Sequence, residues 1–189
     1  MRRRNFTAAL LLGTALGTSA LAPRARAHTP YRQWQVYRRK HLLIGCHKED
    51  MAGYALAKEA VAILDEHLPA ARARVARGPT PGRLASLLGT EQMDVALLGE
   101  ADAAAMVEGR GRFAPYGAIE LRTLLVAPGR VLVARADFPE RHAWLVSDAL
   151  DGWPAGVVPD APALPVLPWH PGAERRRQGR PVPAADASG

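Results

Sequence analysis

Cys46-His47-Lys48-Glu49-Asp50 sets a thiol, an imidazole, an ammonium and two carboxylates in one short run, and three chemistries could use them. A thiolate–imidazole pair would make a nucleophile, but neighbours on an extended chain point to opposite sides, so Cys46 and His47 do not face each other as that pair requires. Glu49 and Asp50 could exchange protons with a substrate, yet they serve equally as a solvated loop or the acidic first turn of a helix. Anion binding is the third: Lys48, Arg77 and Arg83 could converge on a carboxylate. The chain has no Gly-x-Ser-x-Gly, no His-Glu-x-x-His and no phosphate-binding glycine loop, so catalysis lacks its usual signatures and a non-enzymatic role is expected.

The histidines (His28, His41, His47, His67, His142 and His170) form no pair with diagnostic metal spacing. If the chain is cut after Ala27, His28 becomes the first residue, and its amine and imidazole together suit Cu(II). A second imidazole would have to come from one of the other five, so no metal and no cofactor are expected. His67 falls near a helix C-terminus, where its partial charge suits the helix dipole. His170, before Pro171, reads as a structural hydrogen-bonder.

The first 27 residues carry Arg2-Arg3-Arg4, a mild apolar run from Thr7 to Ala22, and Ala25-Arg26-Ala27. A basic start, a short apolar stretch and an Ala-x-Ala site make a secretory signal peptide. Arg3-Arg4-Asn5-Phe6 resembles the twin-arginine address, so a periplasmic location is expected. Gly13 and Gly17 interrupt the run, which is too short for a comfortable membrane span. The formal charge of +7 includes five arginines of this segment, and without them it is +2. A nucleic-acid partner therefore loses its electrostatic support. Arg175-Arg176-Arg177 with Arg180 lies in a Pro/Gly-rich stretch and reads as solvated. A lone cysteine permits no intrachain disulfide, so packing must hold the domain together.

Those candidate residues need elements to position them. Residues 28–40 place Tyr31, Trp34 and Tyr37 at a helix-like spacing of three and form an aromatic arm. His41 to Gly45 reads as a buried strand, and Gly53 to Leu68 as an amphipathic helix stopped by Pro69. A second strand is expected over 73–76, and a helix from Pro81 to Leu88 capped by Thr80. Further strands are expected over 93–98, 121–127 and 130–134, with helices over 100–108 and 138–150. After Trp153, residues 153–189 are rich in proline, glycine and arginine and are expected to wrap the domain or be partly disordered. Strand–helix alternation over 41–152 predicts one α/β lobe, a mostly parallel sheet flanked by helices, with an irregular C-terminal tail. In such a sheet, ligands sit outside the carboxyl ends of the strands. That places Cys46, His47, Lys48, Tyr54, Arg77, Thr80, Arg83 and Glu100 around one rim as ligand-binding candidates.

The stretch from Leu42 to Asp151 resembles the first lobe of TAXI-type periplasmic solute-binding proteins, the receptors of TRAP transporters. The resemblance rests on Gly53-Tyr54-Ala55-Leu56-Ala57-Lys58, His67-Leu68-Pro69 followed by Arg72-Ala73-Arg74-Val75, and Leu84 to Leu98 ending in Asp94-Val95-Ala96-Leu97-Leu98. Glu108-Gly109 with Phe113, and His170-Pro171-Gly172-Ala173, also fit. The departures are Arg83 where the family has Asn, Gly99 or Glu100 where it has Gln, and Cys46-His47-Lys48-Glu49-Asp50 in place of a Gly-Gly-Thr loop. The chain has room for one lobe where a receptor needs two. The resemblance implies binding of a small anionic solute for TRAP-type uptake or sensing, weakly or with the help of a membrane transporter. The alternative is a periplasmic accessory or maturation factor that contacts a redox enzyme through Tyr31, Trp34, Tyr37 and Trp144.

Overall fold

In the computed structural model, which describes residues 40–154 and 167–184, the short apolar runs become strands and the three-and-four patterns become helices. Strand β1 (Leu43–His47) leads into helix α1 (Met51–His67), β2 (Arg74–Gly78) into α2 (Pro81–Gly89), and β3 (Val95–Gly99) into α3 (Glu100–Glu108). A hairpin, β4 (Leu121–Ala127) and β5 (Arg130–Arg135), is followed by α4 (Glu140–Ala149). Short 3-10 turns cover Pro69–Ala71 and Gly111–Tyr116. The expected element types hold throughout this part, with boundaries displaced by a residue or two.

The sheet order is β2-β1-β3-β5-β4. β1 pairs parallel with β2 and β3, whereas β5 is antiparallel to both β3 and β4. Four of the five strands thus point one way, and β5 alone is reversed by its tight turn, where Gly129 takes the left-handed φ of 64° that such a turn needs. Both faces are covered. Val95 and Leu97 join Ala57, Ala60 and Leu64 of α1 and Val146 of α4 on one side. Ala96 and Leu98 join Leu84 and Leu88 of α2 and Met106 of α3 on the other. Side chains alternate across a strand, so a strand buried on both faces reads as unbroken apolar sequence, which is why Val95–Leu98 carries no polar residue.

Within the C-terminal stretch, residues 167–184 carry regular structure that their composition did not suggest. Thr123 of edge strand β4 receives a parallel bridge from Trp169: its N–H donates to Pro168 O at 2.8 Å, and the His170 N–H donates to Thr123 O at 2.8 Å. His170 then caps a helix, α5 (Pro171–Arg177), its Nδ1 accepting from the Gly172 N–H at 3.2 Å. The structural role expected of His170 is therefore present. The arginine run is not simply solvated. Arg176 pairs with Asp148 and Asp151, Arg175 donates to Pro181 O, and Arg177 stacks on Trp169 at 4.1 Å. Gly172 lies so close to α4 that a Cβ there would collide with the Glu140 carbonyl. Among the described residues no helix is long and apolar enough to cross a membrane.

Candidate functional site

Because β1, β2 and β3 each hand the chain to a helix at the same edge, their three loops lie side by side at the carboxyl end of the sheet. β4 also ends there, and its turn brings Arg130 opposite Gly99. Asp50 joins these parts. Its carboxylate caps α1, accepting from the Gly53 N–H at 2.9 Å, and also accepts from both the Nε (3.0 Å) and Nη2 of Arg130. The Arg130 hydrogen bonds hold the Asp50 carboxyl below the ordinary aspartate range, and Asp50 in turn raises Arg130. A Cβ at residue 53 would strike this carboxylate, so glycine leaves room for the pair.

Arg77 projects from edge strand β2. Its Nη2 donates to Lys48 O at 2.7 Å, and its guanidinium lies 4.5 Å from the Tyr54 ring centre. The Lys58 ammonium sits 4.9 Å from the same ring. Each exposed cation–π contact contributes about 0.5–1 kcal/mol, enough to bias a flexible arginine toward one position. Lys48 is exposed, 3.9 Å from the Glu49 carboxylate. Thr80 caps α2, its Oγ1 accepting from the Arg83 N–H at 3.1 Å, and the Arg83 side chain is exposed in that first turn.

Lys48, Tyr54, Arg77 and Arg83 thus gather at one edge as expected. Cys46 needs correction as a ligand contact: it is fully buried in the core. That burial pushes its thiol pKa up, against an opposing influence from Arg77. His47 is half-buried at the end of β1. Thr80 uses its hydroxyl on the cap. Glu100 is exposed in the first turn of α3, where its charge opposes an incoming anion. Three residues at this edge were not foreseen. Arg130 is 80 positions from Asp50, a separation no local pattern spans. Tyr116 lies over Gly82, where a Cβ would meet its hydroxyl, and it is 43% exposed. Met51, at the start of α1, is 65% exposed on the same edge.

Trp144 is half-buried, and its Nε1 donates to Arg180 O at 2.9 Å. His28, Tyr31, Trp34 and Tyr37, like the expected signal segment 1–27, lie outside the described residues. Among the described residues no group of three or more His, Cys, Asp or Glu side chains could hold a metal ion. No protein-family model matches the chain, and neither a curated protein nor a solved structure is detectably similar to it.

Proposed function

We propose that this chain is an exported, non-catalytic binding lobe that takes a small carboxylate-bearing solute at the carboxyl edge of its sheet, for uptake or sensing. The observation that carries the reading is Arg77, held between Lys48 O and the Tyr54 ring at the junction of the β1 and β2 loops. A guanidinium has five donors in a planar fork suited to a carboxylate, and the bond to Lys48 uses one of them. Lys48 stands on the β1 loop and Arg83 in the first turn of α2. Exposed Met51 and Tyr116 give the same edge apolar area, which suits a solute with a carbon skeleton or a second protein that covers it. An open edge of this kind encloses little ligand surface, so affinity is modest unless a partner such as a membrane transporter completes the site.

A thermal-shift titration of the purified protein with small mono- and dicarboxylates and amino acids tests this. A ligand that binds only the native state stabilises it by about 2.7 kcal/mol at a hundredfold excess over Kd. We expect a saturable shift that Arg77→Ala removes and Arg110→Ala, on the loop after α3, does not. A folded sample that shows no shift with any carboxylate would overturn the proposal.

A further inference from the structure

At the opposite edge of the sheet, β1 and β3 begin and β5 ends around a cavity of about 570 Å³, a size usual for small-molecule sites. Leu42, Leu68, Phe138, Leu145 and Val146 give it an apolar floor. Its rim carries both signs of charge. Lys40, His41, Arg135 and His142 form the basic side, and Glu91, Asp94 and Asp137 the acidic side. Arg135, Asp137 and Glu91 are largely spent on one another. Arg135 pairs with Asp137 through two nitrogens, reaches Glu91 at 3.2 Å, and its Nη1 donates to Leu88 O at 2.9 Å. It stands 3.9 Å from Asp94, beyond hydrogen-bond length, so Asp94 is the carboxylate that Arg135 serves least. Burial, with Asp137 and Glu91 adding to it, holds the Asp94 carboxyl above the ordinary aspartate range against Arg135 and His142. His142 is exposed in the first turn of α4, its ring 5.9 Å from that of Phe138.

We propose that this cavity binds a small zwitterion with an apolar side chain, of the amino-acid or dipeptide class. Its ammonium pairs with Asp94, its carboxylate faces the basic side of the rim at Lys40, His41 and His142, and its side chain lies on the apolar floor. The rim rejects the simpler alternatives. An anion alone would meet Asp94, and a cation alone would meet Lys40 and the two imidazoles. A neutral apolar molecule would strip water from the rim charges and offer them no partner. A ligand that brings both signs and a carbon side chain avoids all three costs. An apolar pocket with a few convergent polar groups is the usual form of such a site. The cavity lies at the edge opposite Arg77, so the inference stands or falls separately from the carboxylate reading.

Calorimetric titration of the purified chain with L-leucine, L-phenylalanine and leucyl-leucine tests it. Saturable binding is expected for at least one of the three. Isopentylamine, which lacks the carboxylate, 4-methylpentanoate, which lacks the ammonium, and glycine, which lacks the side chain, should each bind at least about tenfold more weakly. Asp94→Asn, which removes the acidic partner, and Leu145→Asn, which puts a polar group in the floor, should each weaken binding by a similar factor, with a urea melt to confirm that each variant is folded. Arg77→Ala should leave the affinity as it is. No saturable binding of any of the three zwitterions by the folded chain would overturn the proposal. So would binding of the amine or the acid as tight as that of the zwitterion, or binding that survives both the Asp94 and the Leu145 substitutions. Binding lost with Arg77→Ala would overturn it too, by placing the ligand at the other edge.

Discussion

Replacing Asp50 by alanine removes two supports at once, and their sizes follow from the geometry. The carboxylate caps α1 through the Gly53 N–H, and loss of such a cap costs about 1 kcal/mol. It also takes two hydrogen bonds from Arg130, and bonds to charged groups contribute about 1.5–3 kcal/mol. The two side chains are 28% and 22% exposed, so the lower end of that range applies, and Asp50→Ala should cost about 2–3 kcal/mol in all. Asp50→Asn keeps a good cap and loses the charge, so it should cost about half as much. The pH dependence has a definite sign. Asp50 titrates lower in the folded chain than its ordinary value, so its contribution is full above the unfolded pKa and disappears as pH falls through the folded one. Urea melts of wild type, Asp50→Ala and Asp50→Asn at neutral pH and in stepwise acid measure both effects. The gap between wild type and Asp50→Asn should close on acidification. A loss below about 0.5 kcal/mol for Asp50→Ala, the level of an ordinary surface substitution, would refute the assignment, as would a gap to Asp50→Asn that stays constant into acid.

His170 reports on the tail in the same way with a different group. Burial lowers its pKa, against the Phe138 carbonyl and Glu140 and with Arg122, so the unfolded chain binds the proton first. Stability should be full above the unfolded value and fall as pH drops below it, by at most about 1.4 kcal/mol per unit. Melts at pH 7 and pH 5 should show this loss in wild type and a smaller one in His170→Asn, which retains a capping side chain. Gly172→Ala should cost about 1–3 kcal/mol by forcing α5 off the Glu140 carbonyl; an unchanged urea midpoint would mean that the helices do not meet as described.

What the sequence made legible divides by the range of the interaction responsible. Helix α3 and strand β4 were placed at their actual ends because their signals are local: Gly109 stops the one, and Pro128-Gly129 turns the chain after the other. The carboxyl-edge rim was legible for a related reason: β1, β2 and β3 each lead into a helix, and that topology assembles Lys48, Tyr54, Arg77 and Arg83. Arg130 was not, since its partner depends on β5 inserting between β3 and β4. Composition concealed α5, yet its start obeys a local rule: a capping residue, His170, precedes Pro171 at the first helical position, with arginines in the last turn. Arginines that read as solvated became ion-paired because α4 presents Glu140 and Asp148 to them.

The way the helix ends are filled constrains how a solute could bind. α1, α2 and α3 all present their N-termini at the carboxyl edge, the arrangement that ordinarily attracts anions. Here the end of α1 is already occupied by the Asp50 carboxylate. The end of α2 is closed by Thr80 and by Pro81, which has no N–H to offer. α3 has no side-chain cap, but it carries Glu100 and Asp102 in its first turn, and these repel a carboxylate. An incoming anion therefore depends on side-chain cations rather than on helix ends. Among those, Arg130 is committed to Asp50, and Lys48 stands beside Glu49. Lys58 lies against the Tyr54 ring, and Arg77 and Arg83 stand nearest the loops. Of these three, Arg77 is the one steadied by both a backbone carbonyl and an aromatic ring, and that places the weight of the proposed binding on one strand edge rather than on the loops around it.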